Sequence, residues 1–143
     1  MDGREAMRFL GLVLLALIVA TGSGQAQDAR ASSIQAVIDS QLEAFQRDDG
    51  ARAFSFASPT IQQQFGTPTR FMTMVQQGYD PVYRPTSRAF REPRFEGDRA
   101  VQEVVFLDRD NRAWLATYFM EQQADGSWRI AGVRLEAQPE VGA

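Results

Sequence analysis

Apolar and polar positions change period twice along the chain. An uninterrupted apolar run, Phe9 to Ala20, comes first. From Ser32 onward apolar residues recur at Ile34, Val37, Ile38, Leu42 and Phe45, with Asp39, Glu43 and Gln46 mostly elsewhere on the turn. That spacing predicts an amphipathic helix over 33–47. Ser32 and Gln35 have the S-x-x-Q form of a capping box at its start, and Gly50 after "RDD" is a stop signal. A short helix is expected over 51–57. Ser58-Pro59 and Thr67-Pro68 each set a capping residue before a proline at the first helical position, opening "PTIQQQF" and "PTRFMTMVQQG". Gly66 and Gly78 end them, and "YDPVYRPTSR", with Pro81 and Pro85, reads as a connecting loop.

Beyond that loop the period falls to two. Strands are predicted over 87–95, where Pro93 marks an edge or a bulge, and over 100–107, 113–122 and 127–136. "EGD", "DRDN" and "ADG" supply the turns, and Asp-Gly is a strong hairpin signal. Helices followed by a meander predict an α+β fold, with N-terminal helices packed on a curved antiparallel sheet of about four strands. In the last strand Trp128 and Ile130 alternate in one phase and Val133 and Leu135 in the other. A one-residue bulge near Gly132 would bring both pairs to one side. In the strand before it, Trp114, Tyr118 and Met120 share one face, and Leu115, Thr117 and Phe119 share the other. Both faces are largely apolar, so cover is expected on both sides. The second cover is either a partner subunit, giving a homodimer through the sheet, or loops and the C-terminal tail.

Composition narrows the chemistry. The 143 residues suit one domain. A net charge of −3 argues against nucleic acid as a partner, and the use of arginine for every base reads as compositional bias. Cys and His are both absent. This removes thiolate nucleophiles, disulfides, Cys- or His-based metal sites and any His-dependent triad, so neither a metal nor a cofactor is expected.

The N-terminus reads as a targeting segment, with an uncleaved N-terminal anchor as the competing reading. Arg8 precedes the apolar run, which is too short for a typical membrane span, and Gly24 and Ala26 are the small residues of a cleavage site. The expected layout is a signal peptide over 1–26, cut after Ala26, a polar leader over 27–32, the domain over 33–137 and a flexible tail over 138–143. Translation starts at Met1 or Met7. With no Cys after the run there is no lipoprotein anchor, so the cut chain is expected to be periplasmic or secreted without a stable membrane anchor.

"AFQRDDG" (44–50), "FSFASPTIQQQFG" (54–66) and "DGSWRIAGVRLE" (125–136) resemble the nuclear-transport-factor-2-like superfamily, also called cystatin-like or SnoaL-like. More narrowly, "QAVIDSQLEAFQRDD", "AFSFASP" and "FMTMVQQGY" resemble an exported bacterial family that carries a domain of unknown function. The resemblance implies a cone, in which the sheet curls around the first helix and leaves a cavity at its wide end. Enzymes of the superfamily put Asp, His or Tyr there. This chain lacks every His of those patterns, so no catalytic residue is carried over.

Candidate ligand-binding residues are Glu103, Tyr118 and Arg134. Converging inside the cone, they would hold a small polar or acidic ligand with Arg134 as anion anchor. The competing reading is a rim salt bridge. Asp39 is the carboxylate placed best for a general base, though the helical period puts it nearer the polar face. "DRDNR" (108–112) starts like a calcium loop, but Arg112 and Ala113 stand where a ligand and a glycine are required, so it reads as a turn. The arginines of "RPTSRAFREPR" (84–94) form a solvated strand face, or a surface for an acidic partner or an anionic lipid head group. The expected function is a non-catalytic ligand- or protein-binding module of the cell envelope. The alternatives are an isomerase- or dehydratase-type enzyme using carboxylate and Tyr, and a structural subunit of an envelope assembly.

Overall fold

The computed structural model describes residues 3–139, with side chains described from residue 24. It contains two units, 1–32 and 33–143. In the first, the backbone is helical from Gly3. The apolar run of the expected signal peptide and both candidate start methionines lie outside the described side chains, as do residues 140–143 of the expected tail. Among the described residues no helix is long and apolar enough to cross a membrane.

Helix α1 spans Gly3–Gln46, so it does not begin at the Ser32 capping box. Residues 25–33 contain no Pro or Gly and are rich in Ala, the best helix former. A cap starts a helix only where the preceding chain is not already helical. In the second unit α1 buries Ile34, Ile38, Leu42 and Phe45, as the spacing predicts. Its end differs from expectation. Asp48, at φ 53°, takes the left-handed turn, and Asp49 caps α2 (Gly50–Ser55) by accepting from the Arg52 amide. Gly50 is instead needed for close packing, because a Cβ there would lie 2.8 Å from Cγ of Met72.

Helices α3 (Pro59–Phe65) and α4 (Pro68–Gly78) start at the Ser58 and Thr67 caps. The following segment is not wholly loop. Asp80–Tyr83 makes one turn, α5, because proline is tolerated in a first helical turn.

The sheet is open and antiparallel, ordered β1-β3-β4-β5, with β2 also on β3. The predicted strand at 87–95 divides into β1 (Ser87–Phe90) and β2 (Arg94–Glu96), both paired with β3 (Arg99–Leu107). Pro93, which has no amide hydrogen, sits in the break. Gln102 repairs it from the neighbouring strand. Its Nε2 donates to the carbonyls of Arg91 (2.6 Å) and Glu103 (2.8 Å), and its Oε1 accepts from Gln35.

Strand β4 (Ala113–Gln122) pairs with β5 (Trp128–Ala137) across the Asp-Gly hairpin, where Gly126 has φ 88°. The bulge predicted near Gly132 is present. Phe119 faces Gly132 and Met120 faces Ile130, which leaves Ala131 as the extra residue. Trp128 and Ile130 are therefore buried, and Val133 and Leu135 pack against the same core. The free edge of β5 is paired at the bulge by the α2–α3 connection. The Ser58 amide donates to the Ile130 carbonyl and the Ile130 amide to that of Phe56, each at 2.8 Å. Such cover blunts an exposed edge. Past β5 the Gln138 amide still donates to Ala113, so the expected tail is tied at its first residue.

The inner face carries Ala100, Gln102, Val104 and Phe106 of β3 and Ala116, Tyr118 and Met120 of β4, all buried. The outer face of β4 is less covered. Thr117 is buried and Leu115 half-buried, but Phe119 is 39 % exposed.

Candidate functional site

A cleft of about 310 Å³ opens where α1, α3 and α4 meet β5 beside the bulge. Gln41 and Phe45 come from α1, Ile61, Gln64 and Phe65 from α3, and Phe71, Met74 and Val75 from α4. Tyr79, Val82 and the β5 residues Ile130, Gly132 and Val133 complete it. The sequence places these apolar groups together because α4 presents Phe71 and Val75 on one helical face and the bulge keeps Ile130 and Val133 on one side of the sheet. Phe71 is the hub of the aromatic wall. Its ring centroid lies 6.3 Å from Phe45, 5.3 Å from Phe54 and 5.9 Å from Phe65, the last edge-on. Gln41 and Tyr79 interrupt the wall, and Gln64 lies exposed at its rim. Gln41 Nε2 donates to the Ala53 carbonyl at 3.1 Å, and the Tyr79 hydroxyl donates to the Val133 carbonyl at 3.3 Å. Among the described residues the lining has no Asp, Glu or Arg. Such a surface can bind apolar matter.

The structure divides the three candidate residues. Glu103 and Arg134 lie directly across from Thr117, one on each side, on the outer face of the sheet. Glu103 is shared by Arg91 and Arg94, each at 3.6 Å. Arg134 lies 3.6 Å from Glu136, and its guanidinium sits over the Phe119 ring. Tyr118 is the next residue along β4 and so points inward, opposite Gln102 and 6.5 Å from Phe106. The expected convergence inside the cone thus does not occur, and none of the three lines the cleft. Successive strand residues face opposite ways, so a register that pairs Glu103 with Thr117 separates it from Tyr118.

Tyr118 is fully buried, and its hydroxyl is the one buried side-chain atom without a hydrogen-bond partner among the described residues. Burial, with a contribution from the charge of Asp39, pushes its pKa upward, so it stays a neutral phenol. An unsatisfied buried hydroxyl is destabilising. Tyr118→Phe is therefore expected to raise stability by about 1 kcal/mol, read from urea denaturation. A loss of stability would show that the hydroxyl has a partner in solution. Asp39 is half-exposed and forms a two-pronged pair with Arg88, both contacts at 2.8 Å, on the polar side of α1 as its spacing implies.

Residues 27–143 match the family described as a domain of unknown function, DUF4864. The chain belongs to the DUF4864 family. No curated protein and no solved structure matches it. The DUF4864 match contains the whole cleft, from Gln41 to Val133, and all five strands.

Other polar features of the DUF4864 domain are accounted for within the fold. Asp108 organises the "DRDNR" turn. Its Oδ1 accepts from the amides of Asp110 and Arg112 and its Oδ2 from the Trp114 indole, all at 2.9 Å. The Arg112 amide, then the indole, hold its carboxyl below the usual carboxylate range. Arg84, counted by the sequence among the arginines of a solvated strand face, lies before β1 and instead closes the end of α1. Its Nη1 donates to the Phe45 carbonyl at 2.5 Å and its Nη2 to Asp48 at 3.1 Å, while Tyr83 donates to the same carboxylate. Gln41 and Tyr79 were missed by sequence reasoning. For Gln41 a signal was present, because it continues the apolar stripe of Ile34 and Ile38 toward Phe45, where a polar residue is out of place.

Proposed function

We propose that the chain is an exported, non-catalytic binding module whose helix–sheet cleft takes a small apolar ligand. The observation that carries this reading is the aromatic and aliphatic lining, free of Asp, Glu and Arg. Helices preceding an antiparallel sheet with a bulge in its last strand support an NTF2-like cone, with the cleft at its wide end. Export is supported by Arg8, the apolar run and the Gly24/Ala26 site. The family match also begins at residue 27, where the cut is expected. Mass spectrometry of the chain from its native envelope should find Gln27 at the N-terminus, and an intact leader would contradict export by this route. The isomerase-type alternative needs a carboxylate beside a tyrosine inside the cavity, whereas the cleft has Tyr79 without one.

The binding reading is tested with N-phenyl-1-naphthylamine, a neutral fluorescent probe. Saturable one-site binding is expected, and it should be lost in Met74→Trp, whose larger side chain fills the cleft, with the far-ultraviolet circular dichroism unchanged. Absence of saturable binding, or undiminished binding by the folded variant, would overturn it.

For the outer sheet face we propose a second copy of the chain as partner. Glu103 and Arg134 flank Thr117 symmetrically. A two-fold axis parallel to the strands through Thr117 would lay each Glu103 over Arg134 of the other copy, with Phe119 against Phe119. Sedimentation velocity should show a dimer at micromolar concentration that Arg134→Glu weakens. A single monomeric species for the unaltered chain would contradict it.

A further inference from the structure

Gln41 narrows the ligand. It lies on the buried stripe of α1 between Ile38 and Phe45, is 3 % exposed, and lines the cleft. Its Nε2 donates to the Ala53 carbonyl. A carbonyl accepts only from a donor, so this bond orients the amide and leaves Oε1 as its acceptor. Among the described residues no hydrogen bond reaches Oε1, and the Tyr118 hydroxyl is the one fully buried side-chain atom lacking a partner. Oε1 therefore keeps access to the cleft that Gln41 lines. The other polar group in the wall behaves alike. The Tyr79 hydroxyl spends its proton on Val133, and its oxygen remains an acceptor. Each polar group of the inner wall donates one hydrogen bond within the protein, Gln41 to Ala53 and Tyr79 to Val133, and the acceptor oxygen of each is open. Gln64, whose amide could also donate, is exposed at the rim.

From this polarity we infer that the cleft takes an uncharged molecule with an apolar body and one hydroxyl group, which donates to Gln41 Oε1. An anion would meet acceptor oxygens with no Arg in the lining, and a cation would find no carboxylate. Burying either charge unpaired is costly. The cleft, at about 310 Å³, is at the small end of the range for ligand pockets, so the body is compact. Flat rings fit the wall built around Phe71. This inference rests on the binding reading above and adds to it the chemical class of the ligand.

The test compares four probes of one shape on the purified chain by isothermal titration calorimetry at neutral pH: 2-naphthol, its methyl ether, 2-methylnaphthalene and 2-naphthoate. The naphthol is expected to bind about tenfold more tightly than its methyl ether, the worth of one good hydrogen bond, and the carboxylate most weakly of all. In Gln41→Leu the preference for naphthol over the ether should fall to near unity while 2-methylnaphthalene still binds. Equal affinity of the unaltered chain for naphthol and its ether overturns the hydroxyl assignment, and so does a preference that survives in Gln41→Leu. The comparison on the unaltered chain decides the matter even if the variant does not fold. If 2-methylnaphthalene and naphthol both fail to bind, the cleft reading itself falls.

Discussion

Phe45→Ala is expected to destabilise the domain by about 3–5 kcal/mol, the range for removing a buried aromatic ring. Phe45 is 1 % exposed, and its ring lies 6.3 Å from both Phe71 and Tyr83. It joins α1 to α4 and α5 and forms part of the cleft wall. Its backbone carbonyl is held by Arg84, so the helix end is fixed and cannot shift far to fill the space. A single domain is stable by only about 5–15 kcal/mol, so this loss is a large share. The expected fall in Tm is roughly 10–20 °C, measured by calorimetry. Phe45→Leu, which retains most of the volume, should cost under about 1.5 kcal/mol. A change below about 1 kcal/mol for the alanine variant would mean that the aromatic wall relaxes around the hole, and the rigid-wall account of the cleft would fail with it.

Gln102→Leu should cost about 1–3 kcal/mol although it replaces a buried polar side chain with an apolar one of similar size. Gln102 is fully buried. It satisfies the Arg91 carbonyl at the break between β1 and β2, and it accepts from Gln35 of α1. Leucine takes one bond from the Arg91 carbonyl and one from Gln35, both in part-buried surroundings, and an unmet polar group there costs more than the bond itself was worth. Hydrogen exchange should also rise first at β1 and β2, the strands that depend on this side chain. A variant as stable as the parent would show that the edge strands do not rely on it. Tyr118 lies directly across from Gln102 and is expected to respond in the opposite sense. Two neighbouring buried polar groups differ in sign because one is satisfied and the other is not.

Much of the framework was legible along the chain. The spacing of Ile34, Ile38, Leu42 and Phe45 predicts the buried face of α1. Ser58-Pro59 and Thr67-Pro68 mark the starts of α3 and α4, and the change of phase at Gly132 predicts the bulge that the β4–β5 register contains. The extension of α1 before residue 33 and the single turn of α5 were not legible. In both places permissive residues allowed a helix without signalling one. Of the candidate site, the inward and outward sets of each strand could be listed from alternation. Which set faced the helices on β3 relative to β4 could not.

Local pattern was enough to specify the elements, their order, the hairpin and the bulge, because each depends on residues a few positions apart. Only the assembled fold decided that Glu103 and Arg134 share the outer face while Tyr118 is sealed within, and that Gln41, Phe71 and Val133 meet around one cleft. Those outcomes depend on strand register and helix docking. A shift of one residue in either reverses which side chain points inward, and contacts between groups far apart in the chain make that choice.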